Sequence, residues 1–334
     1  MQSSSISLFV VPGKERLLTL HNAELDPVGN MLRGVLVDSE GADQYQITNG
    51  IPRFVPPSNY ADSFGYEWQV HNSTQYDSYT GVSVSADRFW KETRFGRNLS
   101  GEMILEVGCG SGRFTKHALE TGAQVVAVDY SKAIDECYRT NGGSGNLVVA
   151  QASVYELPFR AGTFDKVFCF GVLQHTPDPR SAFKSLVKML KPGGQLVADI
   201  YPKNLKYWVC NPKYWVRPLT KGRNPDQLYR LICRYINFMW PLAGLLRRIP
   251  KIGPSLNWLL LIADHSRTLK GAPDQVLKEW ACLDTFDMLS PAFDKPQTQK
   301  EFRKWFTEEG LADIDVHPGY NGYEGRAVKP GAVH

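Results

Sequence analysis

The sequence predicts an α/β fold: a parallel sheet with helices on both faces, a small β module before it and a helical insertion within it. Three observations carry this. An apolar run, residues 104–107, enters Gly108-Cys109-Gly110-Ser111-Gly112 and then a helix-periodic stretch from Arg113. Four further apolar runs alternate with helical or turn segments, the pattern of βαβ units. The runs end at acids, glycines or a histidine, where such sheets collect their ligands beyond the carboxyl ends of the strands.

Taken in order, residues 104–107 are a strand and residues 113–121 a helix. Gln124-Val125-Val126-Ala127-Val128 is a second strand ending at Asp129, roughly 20 residues past the loop, where nucleotide-binding sheets place an acid for ribose hydroxyls. Residues 146–150 form a third strand leading into Ser153-Val154-Tyr155-Glu156-Leu157-Pro158-Phe159. Residues 163–171 form a fourth, with Gln174 and His175 just beyond its end. A helix closes at residues 186–190, Lys191-Pro192-Gly193-Gly194 turns, and residues 195–200 form a fifth strand. This topology puts Glu106, Asp129, Ser153, Gly171 and His175 along one edge. The glycines suit the loop because they lack a Cβ and tolerate positive φ, letting backbone N–H groups approach a nucleoside cofactor.

The ordered set E-V-G-C-G-S-G, V-D-Y-S, E-L-P-F, F-D-x-V and K-P-G-G resembles the class I S-adenosylmethionine-dependent methyltransferases, strongly over residues 89–200 and less so toward the C-terminus. A dehydrogenase fingerprint would carry its third glycine one position later. The resemblance implies a Rossmann-like class I methyltransferase sheet and S-adenosyl-L-methionine as cofactor. It implies that Glu106, Gly108, Cys109, Gly110 and Gly112 hold the methionine part and that Asp129 and Tyr130 take the ribose side. Ser153 and Val154 then flank the adenine and Gly171 the methionyl end. Many relatives carry an aspartate where this chain has Ser153; a hydroxyl still accepts a hydrogen bond from the adenine amino group but without charge assistance, which predicts weaker adenine binding.

The chain has 334 residues, 43% hydrophobic and 22% charged, an ordinary globular composition longer than one such sheet needs. Boundaries are read at 1–58 for the β module, 59–100 for an aromatic helical cap, 101–200 for the cofactor-binding core, 201–282 for the insertion and 283–334 for completion of the core sheet. Six cysteines without a C-x-x-C pair predict neither a disulfide framework nor a metal site. The first residues lack a signal-peptide pattern and no apolar run approaches a membrane span, so a cytoplasmic protein is expected.

In the β module, residues 31–37 and 45–48 have strand character and Asn49-Gly50 is a hairpin signal. Residues 45–54 resemble the end of a zinc-ribbon-like module found before some bacterial methyltransferase domains, without its cysteines; packing must hold it instead of zinc. A structural cap is favoured over a docking module. In the aromatic bridge, Phe64 and Trp68 read as core anchors, while Tyr66 and Tyr76 are candidates to reach the substrate. The insertion holds eleven basic residues within 201–251 against one acid, Asp226, on a chain of net charge +4, and repeats Lys-Tyr-Trp-Val at 206–209 and 213–216. Such a lid favours an acidic or phosphorylated acceptor, or one on an anionic lipid surface, which brings peripheral membrane contact. The competing reading is a solvated face over an apolar core. A nucleic-acid acceptor is disfavoured because the bias is confined to one insertion. Asp284 to Pro291, a D-x-x-x-x-x-S-P segment, a helix at 298–310 and a strand at 314–317 complete the sheet.

Methyl transfer needs alignment and, for a hydroxyl acceptor, a base. His175 is the candidate base, with Gln174 orienting substrate; His265 and His317 read as structural. The leading function is methyl transfer to a small-molecule or glycan acceptor, at oxygen. An RNA or protein methyltransferase and a non-catalytic cofactor-binding subunit are the alternatives. Oligomeric state is not legible.

Overall fold

The structure, a computed structural model, describes residues 3–27, 29–56, 59–203 and 211–331. The first Lys-Tyr-Trp-Val copy, residues 206–209, lies outside them, as do Cys210 and the first two residues. The described residues fall into two compact units, one from Met1–Asn59, Phe89–Pro202 and Phe293–His334, the other from Tyr60–Arg88 and Lys203–Ala292.

The first unit opens with a four-stranded antiparallel sheet of β1 (Leu18–Leu25), β2 (Met31–Asp38), β3 (Gln44–Thr48) and β4 (Ile51–Pro52). Asn49 and Gly50, with φ of 54° and 74°, join Thr48 to its partner Ile51 in the two-residue turn that the sequence signals. Arg53 continues past β4 alongside Gln151, and its guanidinium bonds both oxygens of Asp135 at 3.0 and 2.6 Å. Upstream, Phe9 packs on Phe54 and Phe159, and the Val10 N–H donates to the Pro158 carbonyl at 3.0 Å. The E-L-P-F segment therefore docks the N-terminal chain.

The main sheet has seven strands. Its parallel part is β5 (Met103–Val107), β6 (Gln124–Asp129), β7 (Leu147–Gln151), β8 (Phe164–Cys169) and β9 (Leu190–Ile200). A hairpin of β10 (Ala312–Pro318) and β11 (Tyr323–Val328) adds to β9, giving the order β10-β11-β9-β8-β5-β6-β7. β7 is buried throughout and β5 and β6 nearly so, as strands covered on both faces must be. Helices α4 (Arg113–Leu119), α5 (Ala133–Asn141) and α6 (Pro179–Met189) connect them, after α3 (Val84–Thr93), whose residues from Phe89 on belong to this unit. Asp178 caps α6 by accepting from the N–H groups of Arg180 and Ser181.

Two expectations change. Lys191 to Gly194 is a bulge within β9 rather than a turn before it: Phe164 pairs with Leu190, but Lys166 already pairs with Gln195. Lys191 Nζ reaches both oxygens of Asp165, at 2.9 and 2.8 Å, so the F-D-x-V and K-P-G-G motifs are tied by an ion pair. Strand β11 carries no strand signal in the sequence, yet it joins β10 to β9.

The second unit is helical. It holds α1 (Asp62–Val70), α2 (Asp77–Thr80), α7 (Lys213–Thr220), α8 (Pro225–Arg247), α9 (Gly253–Leu259) and α10 (Asp274–Leu289). Leu228, Ile232 and Ile236 of α8 pack with Ala281 and Phe286 of α10. Helix α10 runs through residues 283–289, which belong to this unit. The residues that α1 buries are Gly65 and Glu67, with Trp68 only half-buried, so Trp68 is not the anchor expected of it. No helix among the described residues is long and apolar enough to cross a membrane.

A Cβ added at Gly50 would meet the Met31 carbonyl oxygen at 2.7 Å, at a φ that strains any L side chain. Gly50→Ala is expected to destabilise the protein by about 1–3 kcal/mol. Urea unfolding measures it, and an unchanged midpoint would mean the turn relaxes freely.

Candidate active site

The loop after β5 is fixed to β6 by backbone and side chain together. The N–H groups of Gly108 and Cys109 donate to the Val128 carbonyl at 2.7 and 3.1 Å, and Gly110 N–H donates to Asp129 Oδ2 at 2.9 Å. Gly112 N–H turns back to the Cys109 carbonyl. All three glycines have positive φ, of 80°, 55° and 91°. A Cβ on Gly108 would lie 2.2 Å from Val172 Cγ2, and one on Gly112 2.4 Å from Asn141 Nδ2. The N–H groups of Gly108, Cys109, Gly110 and Gly112 thus close the loop, and the glycines permit close approach. Asn141 locks it further, donating to the Gly112 and Cys137 carbonyls.

Glu106 sits in β5 with its carboxyl buried, accepting from the Thr115 hydroxyl at 2.5 Å. Burial pushes its pKa well above the usual carboxylate range, and the Thr115 bond opposes this only in part. Cys109 is buried as well, and desolvation holds its thiol neutral. Asp129, half-buried at the end of β6, accepts from Ser131 N–H at 2.8 Å and Ser131 Oγ at 2.7 Å through Oδ1. Its pKa is raised by burial, against the pull of Ser131 and Gly110. The Tyr130 carbonyl accepts from Asn59 and Gln151 side chains. After β7, Ser153 Oγ accepts from Tyr155 N–H at 3.2 Å, while the Val154 side chain is in the core.

Gly171, at φ 73°, follows β8 and donates its N–H to Asp199 Oδ1 at 2.6 Å. Asp199 is fully buried at the end of β9 and was not among the sequence candidates. Its signal was there: an acid closing an apolar strand, as Asp129 does. His175 Nδ1 lies 3.1 Å from the Phe293 carbonyl, and its ring meets Tyr201 edge-on at 5.3 Å. A carbonyl only accepts, so Nδ1 is the donor in this contact. Gln174 is 0% exposed, and neither polar atom of its side-chain amide has a partner among the described residues. A buried amide left so is costly unless something else satisfies it.

The first unit thus gathers Glu106, the glycine loop, Asp129, Tyr130, Ser153, Gly171, Gln174 and His175 along the strand ends of one sheet. Tyr66 and Tyr76 lie in the second unit. The Tyr66 hydroxyl donates to Asp226 Oδ1 at 2.9 Å; burial and that carboxylate push its pKa up to about 12. Tyr76 is buried. His265 pairs with Asp284 at 2.5 Å, and His317 lies between Asp315 and Glu324.

Part of this chain is similar to known proteins. A family model described as a methyltransferase domain matches residues 105–198. The ubiquinone biosynthesis O-methyltransferase of Alkalilimnicola ehrlichii is 33% identical over 137 residues, covering 39% of this chain and 56% of that protein. Its counterpart in Acinetobacter baumannii is 31% identical over 140 residues, covering 40% and 59%. The chain therefore spans little more than half the length of these relatives. A solved O-methyltransferase family protein from Burkholderia thailandensis is 11% identical, with a TM-score of 0.47 over 81% of this chain and 64% of that one.

The family match supports a class I S-adenosylmethionine-dependent methyltransferase domain, and the sheet order with its glycine loop agrees with it. Residues 105–198 are that domain in this chain, and S-adenosyl-L-methionine is its cofactor. The residues present fit the cofactor: a loop in which Gly108 and Gly112 leave no room for a Cβ, and a strand-end carboxylate at Asp129.

Two variants probe this arrangement. Gly108→Ala is expected to weaken S-adenosylmethionine binding by more than about tenfold in calorimetry. Adding Val172→Ala relieves the overlap but not the φ, so recovery is only partial; full recovery would show that overlap alone matters. Glu106, with its raised pKa, contributes stability below about pH 4.5 that is lost as pH rises through its folded value. Glu106→Gln keeps an acceptor for Thr115 and removes that titration. Its melting temperature is expected to gain on the native protein as pH rises above about 4.5; parallel curves would refute the assignment.

Proposed function

We propose that this protein transfers a methyl group from S-adenosylmethionine to an oxygen of a small-molecule or glycan acceptor. The observation that carries the reading is the orphaned Gln174 amide beside His175, at the strand-end edge that also holds the glycine loop and Asp129. The matched relatives' name, an O-methyltransferase, supports oxygen as the atom methylated. The basic insertion supports an acidic or lipid-linked acceptor.

Bound S-adenosylmethionine supplies an electrophilic methyl group whose leaving group needs no protonation. Asp129 holds the ribose hydroxyls with its carboxylate, kept in place by Gly110 and Ser131. Tyr130 supports that side, and Ser153 and Val154 border the adenine, Val154 through its backbone. Gly171 approaches the methionyl end without a Cβ, its N–H held by Asp199. Glu106 acts from beneath the loop through Thr115. Gln174 orients the acceptor hydroxyl and His175 Nε2 takes its proton, the Phe293 carbonyl fixing the tautomer.

Calorimetry with S-adenosylmethionine, S-adenosylhomocysteine and NAD tests the cofactor side. Micromolar binding of the first two, none of NAD, and loss with Asp129→Ala are expected. With an acceptor found by screening from anionic sugars onward, His175→Ala should lower turnover roughly 10²–10⁴-fold and leave cofactor affinity unchanged. An unaltered rate would point to a subunit without its own catalysis.

A further inference from the structure

The longest helix shows apolar residues on two sides. One side of α8, with Leu228, Ile232, Ile236 and Ala243, is buried in the second unit. The other carries Leu231, Tyr235, Phe238, Leu242 and Leu245, all exposed, Phe238 at 83% and Leu245 at 60%. Their spacing alternates four and three, so they form one stripe along the helix. Beyond the helix end, Ile249 and Ile252 are exposed too. Monomeric proteins rarely leave such a contiguous apolar patch to water.

Charge lies beside it. At 100° per residue, Arg230, Arg234 and Arg248 fall along one edge of the stripe. Arg230 pairs with Asp226 at 3.0 Å. Arg234, Arg248 and Lys251 have no carboxylate partner among the described residues. The face is therefore an apolar strip about 20 Å long, bordered by Arg234 and Arg248.

We propose that this face of α8 seats the second unit on an anionic lipid surface, the helix lying in the plane of the headgroups with its stripe inserted and its arginines on the phosphates. A second copy of the chain suits the face poorly. In heptad terms Arg234 and Arg248 occupy the flanking position on one side, and Ile232, Met239 and Leu246 occupy it on the other. Antiparallel pairing sets arginine against arginine, and parallel pairing sets arginine against an apolar side chain; neither offers an acid. Anionic headgroups offer one throughout. The proposal goes beyond the methyl-transfer reading and does not depend on it, since every residue in it lies in the second unit.

The test is co-sedimentation of the full chain with phosphatidylcholine vesicles, with and without phosphatidylglycerol. Binding at least about tenfold tighter to the anionic vesicles, weakened by salt, is expected. Phe238→Asp with Leu245→Asp, and separately Arg234→Glu with Arg248→Glu, should each lower it by about tenfold or more. Circular dichroism and S-adenosylmethionine calorimetry on the same variants should match the native protein, which separates failure of this proposal from failure of the cofactor reading. No vesicle binding by the native chain, or undiminished binding by either folded variant, overturns the proposal. So does a dimer in sedimentation equilibrium that Phe238→Asp with Leu245→Asp dissolves while vesicles bind nothing: the face then belongs to a second copy.

Discussion

The first unit depends on one carboxylate. Asp129 stands at the end of β6 and accepts from the loop that leaves the neighbouring strand β5, while its other oxygen holds Ser131 at the start of the next connection. Two strands and two connections are thereby fixed by one buried-edge anion. The glycine loop can be tight only because this acceptor and the Val128 carbonyl absorb its amides. An acid placed there costs desolvation, visible in its raised pKa, and the hydrogen bonds offset that cost. The group that holds the loop is also the group proposed for the ribose, so structure and binding compete for the same lone pairs.

The same economy recurs at β9. Asp199 is more deeply buried than Asp129 and fixes the Gly171 N–H, just upstream of Gln174 and His175. Asp129 and Asp199 each stand at the end of one strand and pin the turn that leaves its neighbour. The edge of the sheet is thus rigid where reacting groups must be aligned, which is what a displacement without acid catalysis of the leaving group requires of a protein. Gln174 keeps a buried side-chain amide with no partner among the described residues.

The second unit follows a different logic. Its helices bury one face of α8 well, yet leave the adjoining face apolar and its edge basic. A helix that only completed a core would carry polar residues there. The conflict between local pattern and solubility marks that face for a surface it meets, as charge segregated into one insertion already suggested.

Much of the sheet was legible because buried parallel strands read as apolar runs, and because turn glycines and strand-end acids sit at intervals set by βαβ geometry. The five parallel strands, the Asn49-Gly50 turn, and Asp129 and His175 at strand ends all follow from local pattern. Strand β11 does not. Its Gly325 is demanded by Phe306, whose ring lies 2.5 Å from where a Cβ would be. Its Arg326 is buried only because the Lys91 and Glu92 carbonyls and Asp315 receive it. Neither requirement exists until distant segments meet. Asp199 was readable in principle, but the orphaned state of Gln174 was not, since a missing partner is a property of three-dimensional surroundings. The sequence by itself determined which residues stand at the ends of the strands, through apolar periodicity and glycine. Tertiary structure alone decided which hydrogen bonds those residues spend on the fold and which they keep, because only packing fixes who their neighbours are.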